Sequence, residues 1–495
     1  MTNPTPAEAP LVLAIDIGTS SLRAALYDRA ARLVPGSRVQ LANLVQTTPD
    51  GGVELDPLLL LRNVEQTVDQ VLARAGAQVS EIVAVGFDTF WHSLLGVDAN
   101  GNPLTPLYTW ADTRAKGMAA ELRRELDEDA VLQRTGCMLH PSYFPAKLRW
   151  LATTEPDYAR VTRWVSFGEF FYLQLFGAAT VSYSTASGTG LLDRASLQWD
   201  AEMLRASGIA ASQLSPLSDL TPASGLRPHY ARRWPGLAAL PWLPAVGDGA
   251  ANNLGIGATS PDEMALMIGT SGAMRVVCQP QRVPLPHGLW NYYLDGKRTI
   301  YGGALSEGGG VVAWLWNNLK LSQMNLAESE AAVATMQPDA HGLTILPFFA
   351  GERSPGYAGE ARASIIGLSL NSSSLDLLRA TLEAIAYRFA SVHALLAGIV
   401  PAAGKIIASG GALRQSPVWA QIIADVIGSP LQLSAIDEGS ERGAAILALE
   451  AVGALQVGVA EGETTVSYQP NANNYAAYHA AMARQQDLYA KLVKE

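Results

Sequence analysis

Residues 11–28 read LVLAIDIGTSSLRAALYD, and residues 264–278 read MALMIGTSGAMRVVC. In each stretch an apolar run ends on Ile-Gly-Thr-Ser, Ile17 to Ser20 and Ile268 to Ser271, and a second apolar segment follows. Short apolar runs predict buried strands, and the Gly-Thr-Ser step predicts a tight turn. One strand–turn–strand unit occurring in both halves of the chain predicts a duplicated fold with an equivalent hairpin in each half. Pro241-Trp242-Leu243-Pro244 breaks the chain ahead of the second copy, so the division is expected near 245, with lobes 1–245 and 246–495.

The rest of the sequence fits this frame. Residues 82–87, IVAVGF, predict a further buried strand. Leu58 to Ala73 and Leu375 to Ile399 carry apolar residues at helical spacing, among them Leu61, Val64 and Val68 in the first and Leu378, Leu382 and Ile385 in the second. Strands mixed with helices predict an α/β architecture. A chain of 495 residues exceeds what one core usually supports, about 250–300 residues, which again argues for two large domains. With 48% hydrophobic and 16% charged residues, the composition excludes global disorder.

Lys and Arg total 35 against 45 Asp and Glu, a formal charge of −10. That argues against nucleic acid or an anionic membrane as a partner, and leaves room for an anionic substrate met by a local cation. The two cysteines, Cys137 and Cys278, form neither a disulfide framework nor a zinc motif. The opening MTNPTPAEAP lacks the basic, then apolar, pattern of a secretory leader. The apolar tract Gly443 to Ala460 carries Glu450 and reads as a buried helix and turn. A cytoplasmic protein is expected.

Gly18, Thr19 and Ser20, and likewise Gly269, Thr270 and Ser271, suit a phosphate: glycine admits a close approach, and backbone N–H and hydroxyl groups donate. Asp16 beside the first turn suits a hydrated Mg²⁺, and Arg23 suits phosphate. A purely structural hairpin with Asp16 as a turn acceptor reads the same residues. Gly404-Lys405-Ile406 is no Walker A loop, and Gly308-Gly309-Gly310 lacks dinucleotide spacing. Asp248, in Gly247-Asp248-Gly249-Ala250, is open enough to accept a hydroxyl proton, or simply to cap a helix. Trp91, His92, Asp112 and Arg114 interleave aromatic and polar groups as polyol recognition requires, although a lone His is often a core residue.

Taken together, DIGTSSLR, VGDGAANNLGIG, MIGTSGAMR and residues 408–426, ASGGALRQSPVWAQIIADV, occur in an order that resembles the FGGY carbohydrate kinases. The segments TWADTRA, RTGCMLHPSYFPAKLRWL, STASGTGLLD and FFAGERSPGY resemble the gluconate kinases within that family. Phe87-Asp88-Thr89-Phe90-Trp91 departs from the Ser-rich run of those enzymes. The resemblance implies the two-lobed sugar kinase, heat-shock chaperone and actin-like fold, each lobe a ribonuclease-H-like sheet flanked by helices. It implies a sugar-binding N-terminal lobe and a mainly ATP-binding C-terminal lobe. Asp248 would be general base and substrate contact, with Trp91, His92, Asp112 and Arg114 also on the substrate. Asp16 would help hold Mg²⁺. Gly18, Thr19, Ser20, Arg23, Gly269, Thr270 and Ser271 would surround the phosphates, and Gly309, Gly410, Gly411 and Gln415 would line the adenosine site. The implied reaction is ATP-dependent phosphorylation of the terminal hydroxyl of a sugar acid or polyol, D-gluconate to 6-phosphogluconate first. The rivals are a xylulose or ribulose kinase and a chaperone- or actin-like ATPase. A substrate carboxylate would need a cation, for which Arg114, Lys147 and Arg353 are candidates. The partner expected is the small-molecule sugar, with a homodimer allowed.

Overall fold

The run Leu11–Ile17 forms strand β1, buried along its whole length. It turns through Gly18 into β2, Ser21–Tyr27, and β3, Val39–Ala42, follows. With β4, Ile82–Thr89, and β5, Val246–Gly247, these make a five-stranded sheet in the order β5-β4-β1-β2-β3. β1, β2 and β3 pair antiparallel, whereas β4 and β5 run parallel to β1. The computed structural model describes residues 7–493 except 282, 320–323 and 459–461. The opening hexapeptide and the end of the Gly443–Ala460 tract therefore lie outside the described residues.

The second half repeats the plan. β6, Glu263–Ile268, and β7, Gly272–Cys278, form the second hairpin. β8, Trp290–Tyr293, β9, Thr299–Leu305, β10, Lys405–Ser409, β11, Leu431–Ser434, and β12, Thr464–Tyr468, complete a seven-stranded sheet ordered β8-β9-β7-β6-β10-β11-β12. Its inner strands β9-β7-β6-β10-β11 match β3-β2-β1-β4-β5 in order and direction. The Ile-Gly-Thr-Ser echo thus marks a real duplication, with two edge strands added to the second sheet. The first sheet takes its last strand from Val246–Gly247, so residues on both sides of 245 belong to it.

Helix α1, Pro57–Ala75, starts where the Asp56 carboxylate accepts from the Leu58 and Leu59 amides and stops at Gly76, whose φ is 55°. It lays Leu60, Leu61, Val64, Val68 and Val71 into the first core. Four further helices matter for the site: α2, Asp248–Gly255; α3, Gly309–Asn318; α4, Ser374–Ile399; and α5, Pro417–Ile427. α6, Gly439–Ala451, and α7, Tyr475–Leu492, end the chain. α4 is long and apolar enough to cross a bilayer, yet Leu378, Leu382, Ile385, Phe389, Val392 and Leu396 pack into the second core. It is the central helix of that lobe.

α2 follows the last parallel strand of the first sheet, and α6 follows β11, the equivalent strand of the second. The two cross at backbone contact. A Cβ on Gly443 would stand 1.9 Å from the Ala251 carbonyl oxygen, and one on Gly255 would stand 1.7 Å from that of Gly439. α6 also rests on the first sheet, where a Cβ on Gly86 would meet the Ala444 carbonyl at 2.2 Å. These glycines are needed for close approach, not for unusual dihedrals. Gly443→Ala is therefore expected to cost about 2 kcal/mol or more, as overpacking does. Gly398→Ala, in α4 with nothing within 4 Å of its Cβ position, should be neutral or stabilising. Calorimetric melting of the two variants checks the contrast.

Candidate active site

The parallel register of β1 and β4 puts Asp16 opposite Asp88 at the carboxyl ends of both strands. Both side chains are buried and lie close enough for a hydrogen bond between the two carboxyls, and no other group among the described residues bonds either Asp88 oxygen. Burial raises both carboxyls, Asp88 far more, because Asp16 and then Asp248 add like charge. Asp16 also pairs with Arg23 at 3.1 Å. Two carboxylates with free oxygens beside a Gly-Thr-Ser turn make a donor set suited to Mg²⁺, a hard cation that keeps several waters. These residues fit that ion.

Asp248 is the first residue of α2, after Gly247 at the cap, and its Oδ1 accepts from the Gly249 amide at 2.7 Å. Burial pushes its carboxyl up to about 6; Arg275 pulls it down and Asp16 pushes it up. Its chemistry is that of a proton acceptor tuned close to neutrality.

Asp248 opens into a cavity of about 130 Å³. One wall comes from segments inserted between β4 and β5: Trp91, His92, Trp110, His140, Ser142 and Tyr143. The other comes from the second lobe: Ser271, Arg275, Trp290, Tyr292, Arg353 and Tyr357. Trp290 and Tyr292 stack at 4.2 Å, Trp91 meets Tyr292 edge-on at 5.0 Å, and the Tyr143 and Tyr292 hydroxyls are 2.7 Å apart. His92 has φ 65°, rare for a residue with a side chain. Its Nδ1 is bonded to the Gly188 carbonyl, and its own carbonyl accepts from Lys147 Nζ at 2.7 Å. Burial drives His92 down to about 3 and His140 well below the usual range, so both rings are neutral. Neutral imidazoles and phenols both donate and accept, as a polyol chain requires.

Two buried cations face this cavity. Arg275 interrupts the apolar strand β7 and has no partner on Nε or Nη1 among the described residues. Burial lowers it to about 10, against the pull of Asp248. Arg353 lies over the Trp110 ring at 4.9 Å, donates from Nη2 to the Leu305 carbonyl at 2.7 Å, and has no partner on Nε.

A second, larger pocket of about 700 Å³ is lined by Gly269, Thr270, Gly309, Gly310, Gly411 and Gln415, with Val312, Trp316, Leu382 and Trp419 as apolar walls. Gly309 and Gly310 donate to the Gly269 and Thr270 carbonyls at 2.8 and 3.0 Å. Gly410 beside it has φ 102°, and a Cβ there would meet the Ile268 carbonyl at 2.2 Å. The second turn therefore spans both spaces: Gly269 and Thr270 line the larger pocket and Ser271 the inner cavity.

The structure gathers most of the expected site residues. Trp91, His92, Asp248 and Ser271 line the inner cavity, and Gly269, Thr270, Gly309, Gly411 and Gln415 line the outer pocket. Gly18, Thr19 and Ser20 form the first turn, next to Asp16. Arg23 is engaged by Asp16 and, at 3.0 Å, by Glu438 of the other half. Asp112 and Arg114 line neither space. Arg114 pairs with Asp112 at 2.5 Å and Glu54 at 2.7 Å, over the Trp150 ring at 4.7 Å. In this structure both side chains are engaged within that cluster, outside the two spaces. Lys147 is likewise spent on the His92 and Thr109 carbonyls. Of the three candidate cations, Arg353 alone lines the cavity. Sequence reasoning passed over Asp88 and Arg275. Their signals were an Asp closing an apolar run, as Asp16 does, and an Arg inside one.

Residues 11–255 match the N-terminal domain, and residues 264–452 the C-terminal domain, of the FGGY family of carbohydrate kinases. The gluconokinase of Bacillus subtilis (strain 168) is 30% identical over 456 residues, 89% of this chain and 88% of that protein. A glycerol kinase of Polaromonas sp. is 30% identical over 474 residues, 88% of this chain and 90% of that protein. Among solved structures, a ligand-bound xylulose kinase from Lactobacillus acidophilus aligns with a TM-score of 0.88 at 24% identity, covering 97% of this chain and 98% of its own. The gluconate kinase from the same organism aligns at 0.86 and 23%, covering 98% of both chains. The chain belongs to the FGGY family of carbohydrate kinases.

Proposed function

We propose that this kinase transfers the γ-phosphoryl group of ATP to the terminal hydroxyl of an open-chain sugar acid, D-gluconate first, giving 6-phosphogluconate. The observation that carries the choice of acceptor is Arg353. Its buried guanidinium stands in the inner cavity with Nε unpartnered. Among the described residues it forms no ion pair, the buried Glu307 carboxylate acting on it only from beyond ion-pair distance, and a substrate carboxylate would supply the missing contact. The planar fork of arginine matches both carboxylate oxygens. A ketose or glycerol has no group that answers this charge. The likeness to gluconokinases supports the reading, a glycerol kinase being 30% identical as well, and the lining of the inner cavity adds to that support.

In this reading the outer pocket takes adenosine, with Gly309, Gly410, Gly411 and Gln415 around it. The backbone of both Gly-Thr-Ser turns, Gly18 to Ser20 and Gly269 to Ser271, faces the phosphates. Asp16 and Asp88 would hold Mg²⁺, which when bound neutralises phosphate charge. The acceptor chain lies along Trp91, His92 and the tyrosines with its carboxylate on Arg353. Asp248 takes the proton of the attacking hydroxyl, and Arg275 beside it offsets negative charge as the bond forms. Two unpaired, buried cysteines and the negative net charge support a cytoplasmic setting.

Asp248→Asn keeps the shape and loses the acceptor; turnover should fall at least about 10²-fold, with ATP binding by calorimetry unchanged. Near-normal turnover would remove Asp248 from the mechanism. The base works only when ionised, so kcat/KM should fall as pH drops through about 6, the value to which burial raises Asp248. The profile should be flat above that region, and a rate independent of pH from 5 to 8, roughly the span over which such a group titrates, would contradict the assignment. Arg353→Met should cost about 2–5 kcal/mol in kcat/KM for gluconate, and far less for xylulose. Arg114→Met, in its closed cluster, should leave that preference unchanged. A wild-type enzyme that prefers xylulose or glycerol overturns the gluconate assignment and leaves the kinase intact.

A further inference from the structure

Glu352 and Arg353 are neighbours in the chain and face opposite ways. Arg353 enters the cavity, whereas Glu352 turns into the body of the second lobe and is fully buried. There its carboxylate is paired with Arg388 of α4 and accepts from the Tyr489 hydroxyl of α7 at 2.6 Å. The Gly356 amide adds a bond to it at 3.2 Å. The Arg388 guanidinium lies 5.1 Å from the Tyr489 ring and 5.2 Å from that of Phe348, so the three anchors form one packed unit. The loop fits this unit closely: a Cβ on Gly356 would stand 1.9 Å from the Tyr489 hydroxyl. On the other side, Ser354 exchanges hydrogen bonds with Ala304 of β9, at 2.9 and 3.0 Å.

We propose that Glu352 is a positioning residue: gripped by Arg388 and Tyr489, it sets where the Arg353 guanidinium stands, so the C-terminal helix governs how well the cavity takes a carboxylate-bearing acceptor. The proposal rests on the reading that Arg353 receives that carboxylate. The reason is geometric. The planar peptides leave only the dihedrals around Arg353 free, and anchoring Glu352 on one side and Ser354, bonded to Ala304, on the other restricts those, so the direction in which Arg353 leaves the chain is held from both flanks. Bidentate contact tolerates little misplacement, and loosening a support outside the site is enough to spoil it. Asp248, Asp16 and Asp88 sit on other elements, so the chemical step and nucleotide binding do not depend on this grip.

The test uses the full chain with Tyr489→Phe, Glu352→Gln and, as reference, Arg353→Met. Gluconate, xylulose and ATP are each varied, and gluconate binding is measured by calorimetry. Tyr489→Phe removes one bond to a charged group and should raise the gluconate KM about 5-fold, and Glu352→Gln about 20-fold. In both, kcat, the ATP KM and kcat/KM for xylulose should stay within about 2-fold, because the rest of the site is unmoved. Should Glu352→Gln fail to fold, Tyr489→Phe alone carries the test. A gluconate KM unchanged in Tyr489→Phe, or equal losses on gluconate and xylulose, overturns the positioning role. If Arg353→Met itself harms both acceptors alike, the carboxylate reading fails and this inference with it. If Arg353→Met is selective while Tyr489→Phe is not, the positioning role alone falls.

Discussion

The crossing of α2 and α6 is the contact on which the site depends. Helices usually meet through side chains at axial separations of about 8–10 Å. Here glycines remove the side chains, and the backbone of each helix meets the other at Gly255 with Gly439 and at Gly443 with Ala251. Backbone contacts are stiff and admit little sliding. α2 begins with Asp248, whose carbonyl accepts from Ser440 Oγ at 3.1 Å at the start of α6. α6 in turn lies on the first sheet, and its Glu441 carboxylate accepts from the Tyr27 hydroxyl at 2.9 Å and Arg38 Nε at 2.8 Å. Through this chain of contacts, Asp248 is referenced to the strands that end in Asp16 and Asp88. Three carboxylates from distant parts of the sequence thereby face one space.

Concentrating buried charge in this way is costly, and the structure meets the cost unevenly. Asp16 has Arg23, Glu441 has Arg38, and Glu352 has Arg388. Asp88, Arg275 and Arg353 keep buried atoms without partners. In a well-packed protein such groups are few, and each calls for an explanation. Of these, Asp88 lies beside the first Gly-Thr-Ser turn and the two arginines border the polar cavity. Both oxygens of the buried Glu307 and Nε of Arg388 likewise have no hydrogen-bond partner among the described residues, so open charge is spread over both lobes.

The sequence disclosed the fold through pattern and the site through context, and its failures follow from that difference. The Ile-Gly-Thr-Ser echo sufficed for the duplicated hairpins, because strand and turn are local. α1 and α4 were legible from spacing to within a residue or two at each end. β5 was not: Val246–Gly247 is too short to carry a strand pattern, and only pairing with Asp88 and Thr89 makes it one. Asp248 and the glycine turns stood out because glycine context is written along the chain, although for Asp248 that context fitted a helix cap as well as a proton acceptor and the resemblance supplied the second reading. The pairing of Asp112 and Arg114 with each other and with Glu54 could not be read from the sequence, because aromatic neighbours along the chain do not say which way a side chain turns. Arg275 and Arg353 stand out from the other arginines by lining the inner cavity without an ion pair among the described residues, which becomes visible only in three dimensions.

Xylulose, gluconate and glycerol kinases of known structure share this fold at TM-scores of 0.88, 0.86 and 0.85. In this chain Asp16, Asp88 and Arg275 stand on core strands and Asp248 follows one directly. Trp110, His140, Tyr143, Arg353 and Tyr357 sit on connecting segments, which can change without disturbing a strand. The segment bearing Arg353 is the exception among loops, because Glu352 ties it to two helices and Ser354 to a strand. A loop that must deliver one charged fork to one point gains from being anchored as firmly as the sheet itself, and this one is.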